Sequence, residues 1–581
     1  MSDKKFIIKI DGQAVEANAG ENLLAVALRH GFEVPHLCDH PDAAVRANCR
    51  MCLVKIKGVA APQTACSTEA AEGMEIQTDA PELRRARKFN LEMIFGEHVE
   101  DCDDCVLRGR CALLDYRKKY NSKMLRFPDR KVNRPIYDFG PIIFDQTKCI
   151  DCRLCVEVCP TKYLEVHGRG SDLGIRPTAD KKRDCIYCGQ CVVHCPVGAI
   201  KSAGEFDEDE AKLAAVLKNK NLTVVVQFAP AVRSSIGEEL GLPHGAVLTG
   251  QMAAGLRRLG FRHVFDTAVG ADFTTNEEAG EAVERVREGK GLPIFTSCCP
   301  AWTRFLEYHH PEFIKNITSV RSPQLCLGGI IKGYWAQKNK IDPKKIFSVS
   351  VMPCAAKKYE IIRKECEFRG MKPVDLVLTT RQLARLFINN KIDLAKLKPE
   401  PADDPFGQPS GAGVIYGASG GVMESALRTA YFRVTGRNLK NLEFKQVRGQ
   451  QGIKRAAIKL DGRATIKAAV VNGIKNAEII LKELKKNPRA YDFVEVMACP
   501  GGCVGGGGQP IPTLPFNRAK RAESLYQIDA GKKIRLAHEN PFVKKAYAEF
   551  FTNEKVRRET FHTSFSPKPR NKVSTRHRAV K

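Results

Sequence analysis

The sequence has no apolar run long enough to cross a membrane. The longest, residues 222–226 followed by Phe228 and Ala229, falls far short of the ~18 residues a spanning helix needs. Signal peptide, twin-arginine segment and transit peptide are missing too, since Met1-Ser2-Asp3-Lys4-Lys5 runs straight into a strand pattern; a cytoplasmic location without membrane contact is expected. No helix-turn-helix, zinc-finger or RNA-binding signature is present, so nucleic acid is not an expected partner. Residues 417–421 are glycine-rich but lack the Gly-Lys-Ser/Thr ending of a phosphate loop, and no flavin or nicotinamide pattern occurs. Acidic residues are in deficit, 66 against 93 basic, leaving a net charge of +27. Metal-bound thiolates would lower that by on the order of ten. The excess suits an acidic protein partner, or simply a basic, soluble surface. With 43% hydrophobic and 27% charged residues over 581 positions, wholesale disorder is excluded and several folding units are expected.

What the chain has is cysteine, 22 in all, mostly in tight C-x2-C groups. Without an export signal such groups read as metal sites rather than disulfides, in a reducing compartment. Residues 6–10 alternate, Asp11-Gly12 supplies a hairpin turn, 14–16 return, and 21–30 read as a helix. Cys38, Cys49, Cys52 and Cys66 follow with the spacing C-x10-C-x2-C-x13-C. It resembles the 2Fe–2S site of plant-type-ferredoxin-like domains in large redox enzymes; a four-cysteine zinc site is the alternative. A helical pattern over 82–95 leads into His98, Cys102, Cys105 and Cys111. H-x3-C-x2-C-x5-C resembles the His-ligated 4Fe–4S site of certain hydrogenases and complex I-like subunits, with a zinc knuckle as the alternative. Two copies of C-x2-C-x2-C-x3-C-P come next: Cys149, Cys152, Cys155, Cys159 and Cys185, Cys188, Cys191, Cys195. In two-cluster ferredoxins the fourth cysteine of each run crosses over, which groups Cys195 with Cys149, Cys152 and Cys155, and Cys159 with Cys185, Cys188 and Cys191. Four iron–sulfur sites in a row imply a path for single electrons.

After an acidic linker at 205–210 and a helix at 211–218, strand patterns at 222–228, 262–266, 293–296, 346–351, 374–379 and 493–498 alternate with helices. This predicts an α/β domain of about 300 residues. Cysteines stand at strand ends, where such folds build sites: Thr296-Ser297-Cys298-Cys299-Pro300-Ala301-Trp302, Met352-Pro353-Cys354 through Lys357 to Glu360, and Met497-Ala498-Cys499-Pro500-Gly501-Gly502-Cys503 running on to Gln509-Pro510. These three segments resemble the signature motifs of the iron-only (FeFe) hydrogenases, in the large, monomeric, clostridial-type architecture. The fold class implied is α/β multidomain. Residues 1–80 would be a β-grasp 2Fe–2S domain, 81–125 the His-ligated 4Fe–4S domain, and 126–209 the two-cluster ferredoxin. Residues 210–514 would be the catalytic domain and 515–562 a wrapping segment, a separate small subunit in some relatives. Residues 563–581, basic and free of acidic side chains from Lys568 and Arg570 to Arg578 and Lys581, are expected to be a disordered tail.

The resemblance implies that Cys299, Cys354, Cys499 and Cys503 hold a cubane. Cys503 would bridge it to a two-iron unit with CO, cyanide and a dithiolate, the whole being the H-cluster. Lys357 would face one cyanide, Met352 and Met497 would be soft walls, and Gln324, Tyr416, Ala229, Pro230 and Ala231 would line the cavity. The glycines 505–508 would let backbone approach the inorganic core. Cys298, pointing away from Cys299, would pass protons through Glu278, Thr318, Glu281 and Arg285. Glu278, Glu281 and Arg285 share one helix face, which without the resemblance reads as a solvated acidic face. Four positions depart from the family pattern: Thr318 for serine, Ala231 for serine, Tyr416 for phenylalanine, and Ala355-Ala356 for more polar residues. Ligands account for 19 of the 22 cysteines, and Cys326 and Cys366 are expected as buried free thiols. The activity implied is reversible reduction of protons to H2 with electrons from ferredoxin or flavodoxin, after maturation proteins install the two-iron unit. Alternatives are a subunit of an NAD(P)-linked or bifurcating hydrogenase, a hydrogen-sensing or assembly-type relative, and a pure electron carrier.

Overall fold

The computed structural model describes residues 5–577, apart from 101, 104, 125, 128–132, 170–171 and 461–463. In the first module, Lys5–Ile10 and Gln13–Asn18 pair antiparallel across Asp11 and Gly12, both at positive φ as a two-residue hairpin requires. Ile8 and Ile10 are buried while Lys5 and Lys9 face water, so the alternation sets the face. Glu75–Gln77, Leu53–Ile56 and Gln63–Thr64 complete a five-stranded sheet. The helix Pro81–Phe95 closes it with a buried arginine: Arg87 donates to the carbonyls of Met51, Leu53 and Thr78. A second antiparallel sheet, ordered Ile200–Ser202, Ile142–Asp145, Ile136–Asp138, Ser574–Arg576, carries the paired cysteine runs.

The catalytic half is built on two four-stranded sheets. One is all parallel, in the order His263–Asp266, Thr223–Phe228, Ile346–Met352, Leu376–Thr379. Its strands are buried almost throughout, which is why residues 222–228 read as one apolar run rather than an alternation. The other orders Ile294–Phe295, Phe493–Met497, Ala464–Asn472 and Ile453–Leu460, the last pair forming an antiparallel hairpin. The hairpin went unread because its lysines and alanines fit a helix as well as a strand. The helix Thr267–Glu288 starts at Asp266, whose carboxylate caps the Ala268 N–H at 2.9 Å and pairs with buried Arg233. It ends at Gly289, at φ +65°, the left-handed stop that glycine favours.

Two expectations are corrected. The acidic stretch 205–210 is not a loose linker: Glu205 is buried, paired with Arg381 at 3.0 Å and bonded to Ser202 and Thr379. The basic segment after residue 562 is not disordered through residue 577. Thr563 N–H donates to the Ser319 carbonyl, Lys568 N–H to the Glu307 carbonyl, Asn571 to the Cys185 carbonyl, and Ser574–Arg576 adds a strand beside Ile136–Asp138. Backbone pairing of this kind does not depend on composition, which is what had argued for disorder. Arg578 and Lys581 lie outside the described residues. Among the described residues, no helix is long and apolar enough to cross a membrane.

Candidate active site

The carboxyl ends of both catalytic sheets open on one cavity of about 80 Å³. Phe228 runs into Ala229, Pro230 and Ala231; Phe295 leads through Thr296 and Ser297 to Cys298 and Cys299; Met352 gives Pro353 and Cys354; Met497 precedes Cys499 and Cys503. The lining includes Ala229, Pro230, Ala231, Cys298, Cys299, Gln324, Met352, Cys354, Lys357, Tyr416, Met497 and Cys503. The structure thus brings together in one place nearly every cavity residue expected from sequence. Thr267, whose hydroxyl is bonded to Gln227 at 3.0 Å, also lines it and was missed.

Cys299, Cys354 and Cys503 line the cavity, with Cys499 near them. Burial pushes Cys354 and Cys503 up to about 12 and Cys299 and Cys499 upward as well, and their mutual proximity adds to it for Cys354, Cys499 and Cys503. Such thiols lose their protons only to a cation that repays the desolvation. The donor set therefore fits a metal cluster. Cys298 and Cys299 both reach the cavity, but Cys299 packs with Cys354 and Trp302, and Cys298 with Tyr416 and Met497.

Also lining the cavity, the Lys357 ammonium donates to the Cys298 carbonyl at 3.1 Å and to Glu360 at 2.9 and 3.1 Å. Burial opposes its charge, yet Glu360 outweighs burial and holds Lys357 above its ordinary value. Glu360 also accepts from Ser322 at 2.8 Å and from Gln324 Nε2 at 2.6 Å, and Ser350 holds Gln324 Oε1 at 2.8 Å. Gln324 is thus oriented by the network that fixes the lysine. Glu360 closes a motif quoted from sequence, but its role was not read there.

On the third side, Glu278 is fully buried on the helix Thr267–Glu288. Thr318 Oγ1 donates to its Oε1 at 3.0 Å and lies 3.0 Å from Ser297 Oγ. Among the described residues its Oε2 has no hydrogen-bond partner. Burial pushes Glu278 up to about 8, so it carries a proton at neutral pH. Burial also raises Cys298 and Tyr416, with Glu278 adding to both. Tyr416 Oη meets Thr275 Oγ1 at 2.9 Å. One turn on, Glu281 pairs with Arg285 as its i,i+4 spacing foretold. The hydroxyl bonded to Glu281 is that of Ser319, at 2.9 Å, and not that of Thr318. Consecutive residues on an extended segment face opposite ways, so Thr318 serves Glu278 and Ser319 serves Glu281.

Upstream, the cysteines fall into the expected groups. Cys49 N–H lies 3.4 Å from Cys38 Sγ, and Cys52 Sγ 3.4 Å from Cys66 Sγ. His98, Cys102, Cys105 and Cys111 line a cavity of about 170 Å³. His98 Nδ1 lies 2.8 Å from the Lys148 carbonyl, which can only accept, so Nδ1 carries a proton. Burial raises Cys155, with Cys149, Cys152, Cys195 and then Cys191 adding to it. Burial likewise raises Cys191, with Cys188, Cys185, Cys159 and then Cys195 adding to it. Cys195 thus influences Cys155, and Cys159 influences Cys191, in the sense that the crossover implies. The segments that carry these groups also adjoin: Asn48 Nδ2 donates to the Asp151 carbonyl at 3.2 Å, Cys105 Sγ lies 4.0 Å from the Val197 carbonyl, and Cys499 Sγ lies 3.9 Å from the Cys188 carbonyl.

The last junction explains the glycine run. A Cβ on Gly507 would lie 2.5 Å from Gly189 Cα and 2.6 Å from the Cys188 carbonyl oxygen. One on Gly506 would lie 2.1 Å from the Pro353 carbonyl oxygen. At Gly506 and Gly507 the missing Cβ is therefore required by neighbouring backbone, and Gly507 seats the Cys188–Gly189 loop against the Cys499–Cys503 segment. Cys326 and Cys366 are buried and free, as expected.

Residues 222–507 match the family described as iron only hydrogenase large subunit, C-terminal domain. Residues 3–81 match a 2Fe-2S iron-sulfur cluster binding domain, 148–199 a 4Fe-4S dicluster domain, and 516–568 the iron hydrogenase small subunit. The chain is 38% identical over 563 residues to the NADP-reducing hydrogenase subunit HndD of Solidesulfovibrio fructosivorans, spanning 94% of this chain and 95% of that protein. It is 36% identical over 564 residues to iron hydrogenase 1 of Clostridium pasteurianum, spanning 94% and 96%. Its fold matches the solved apo FeFe-hydrogenase from Chlamydomonas reinhardtii with a TM-score of 0.56 at 38% identity, over 62% of this chain and 99% of that one. Motifs, cavity and full-length similarity agree: the chain belongs to the iron-only hydrogenases, oxidoreductases that act on H2.

Proposed function

We propose that this protein catalyses the reversible reduction of two protons to H2 with electrons from a small acidic carrier, a ferredoxin or flavodoxin. The observation that carries the reading is the adjacency of the cysteine-bearing segments, ending where Cys499 Sγ lies 3.9 Å from the Cys188 carbonyl. Cys38, Cys49, Cys52 and Cys66 would hold a 2Fe–2S cluster. His98 with Cys102, Cys105 and Cys111 would hold one 4Fe–4S cluster, and the crossed-over groups two more. Cys299, Cys354, Cys499 and Cys503 would hold the H-cluster cubane. The domain boundaries at 80, 125, 209, 514 and 562 follow the same division. When bound, the iron–sulfur groups supply one-electron storage and the two-iron unit supplies the metal that activates dihydrogen.

The chain's own contribution is to orient and to move protons. Lys357, fixed by Glu360 and the Cys298 carbonyl, presents a point charge to the cavity. Met352, Met497, Ala229, Pro230 and Ala231 keep it apolar and exclude water. Protons would pass between Cys298, Glu278 and Thr318, and onward by Glu281 and Arg285. The basic net charge of +27 favours an acidic donor. We place the protein in the cytoplasm, as a monomer dependent on maturation proteins.

A second reading has a specific support: one relative that matches along almost its whole length is a subunit of an NADP-reducing hydrogenase. In that case electrons would come from a partner subunit. The deciding experiment is hydrogen evolution by the purified, matured chain. Turnover with reduced ferredoxin alone supports the first reading; turnover only after adding a nicotinamide-oxidising subunit overturns it in favour of the second.

A further inference from the structure

Beyond Glu281 the hydrogen bonds do not stop at Arg285. Glu281 Oε2 accepts from Ser319 Oγ at 2.9 Å, and Ser319 Oγ lies 2.8 Å from His562 Nδ1. On the far side of the ring, His562 Nε2 lies 3.2 Å from Glu277 Oε2. Glu277 also binds the Tyr547 hydroxyl and faces Arg557 at 3.7 Å. We infer that Glu281, Ser319, His562 and Glu277 form a proton conduit that ends on the C-terminal wrapping segment, with His562 as its outer relay. The inference rests on the proposed relay through Glu278 and Glu281.

The bonding of the ring carries the argument. Glu277 accepts from the Tyr547 hydroxyl and faces the Arg557 guanidinium, so toward the ring its carboxylate is the acceptor and Nε2 carries a proton. If Ser319 donates to ionised Glu281, then Nδ1–H must donate to Ser319, and the ring is an imidazolium. If instead Ser319 donates to a bare Nδ1, Glu281 must be protonated and donate to Ser319. The two arrangements hold the same protons with one of them moved from the ring to Glu281: the Nδ1–H and Ser319 O–H bonds break as a new Ser319 O–H and a Glu281 O–H form. Nothing else is consumed, and the serine hydroxyl only reverses. Solvent then recharges the histidine, whose side chain is 21% exposed.

The site is held rigidly. Thr563 N–H donates to the Ser319 carbonyl at 2.7 Å, Arg321 N–H to the Phe561 carbonyl at 2.7 Å, and Arg321 Nε to the His562 carbonyl at 2.8 Å. The charged groups around the ring are Glu277 and Glu281 with its partner Arg285 on one helix, Arg321 beside it, and Arg557 on the C-terminal helix. Among the described residues, no member of this set is hydrogen-bonded to a cysteine assigned to metal.

The test uses the matured full chain with the variants His562→Ala and His562→Gln, iron content confirming the fold. Turnover in both should fall roughly tenfold or more. Added imidazole should restore His562→Ala and leave Cys298→Ala unrestored. A second readout needs no two-iron unit. In the chain carrying only its iron–sulfur groups, the 15N resonance of His562 Nδ1 should move on Glu281→Gln, and should not move when Ser319→Ala is already present. Wild-type turnover in both His562 variants, absence of imidazole rescue, or an unmoved resonance would each overturn the conduit. If Cys298→Ala is itself fully active, the underlying relay fails instead.

Discussion

Glu278→Gln separates proton carriage from architecture. The amide oxygen can still accept from Thr318, whose hydroxyl now sits 3.0 Å from Glu278 Oε1, so the local geometry is kept. What is lost is the exchangeable acidic proton, and turnover should drop by about 10²–10⁴ as for other positioned acid–base groups. Stability should move the other way, and with pH. Glu278 is raised by burial from 4.5 to about 8, so between these values the folded state holds a proton that the unfolded state has released. Relative to glutamine, the stability of the wild-type fold is complete below about pH 4.5 and erodes as pH rises toward 8. The full difference is on the order of 5 kcal/mol. Unfolding midpoints of variant and wild type, compared at about pH 5 and about pH 9, should therefore nearly coincide at the first and favour the variant at the second. A gap that does not grow with pH would refute the neutral buried carboxyl, and near-normal turnover would refute its place in the relay.

Cys298→Ala should keep the iron content and lose turnover by orders of magnitude, checked by iron analysis beside a hydrogen assay. Lys357→Met leaves the buried Glu360 carboxylate without its cation and should cost about 3–5 kcal/mol, read from thermal unfolding, because an unpaired buried charge is worse than none. His98→Ala should remove one cluster, lowering iron by the content of a single cubane while the other clusters keep their spectroscopic signals. Gly507→Val should prise the Cys188 loop from the catalytic site, since even a Cβ there meets Gly189 Cα at 2.5 Å. Electron-donor-dependent turnover should fall much further than hydrogen–deuterium exchange, which needs no external electrons.

The sites were more legible than the elements that carry them. Thiol spacing is a covalent constraint, so Cys149 to Cys195 announce their grouping without any tertiary knowledge. The i,i+3 and i,i+4 placement of Glu278, Glu281 and Arg285 is likewise local, and the helix Thr267–Glu288 confirms that they share one face. What local reasoning could not supply were partners distant in sequence. Ser319 meets Glu281 across 38 residues, and Glu205 meets Arg381 across 176. The packing of Gly507 went unread because its neighbour, Gly189, belongs to another module. The tail 563–577 was misread because composition carries no information about a strand edge waiting beside Ile136–Asp138.

The central claim is that the thiol-lined cavity between the two sheets holds an organometallic two-iron unit that activates H2. Infrared spectroscopy of the purified, matured protein in the CO and CN stretching region, with hydrogen production assayed on the same sample, tests it most directly. Sharp carbonyl and cyanide bands that shift under H2, together with turnover, are the predicted result. A fully matured sample with neither the bands nor the activity would contradict it.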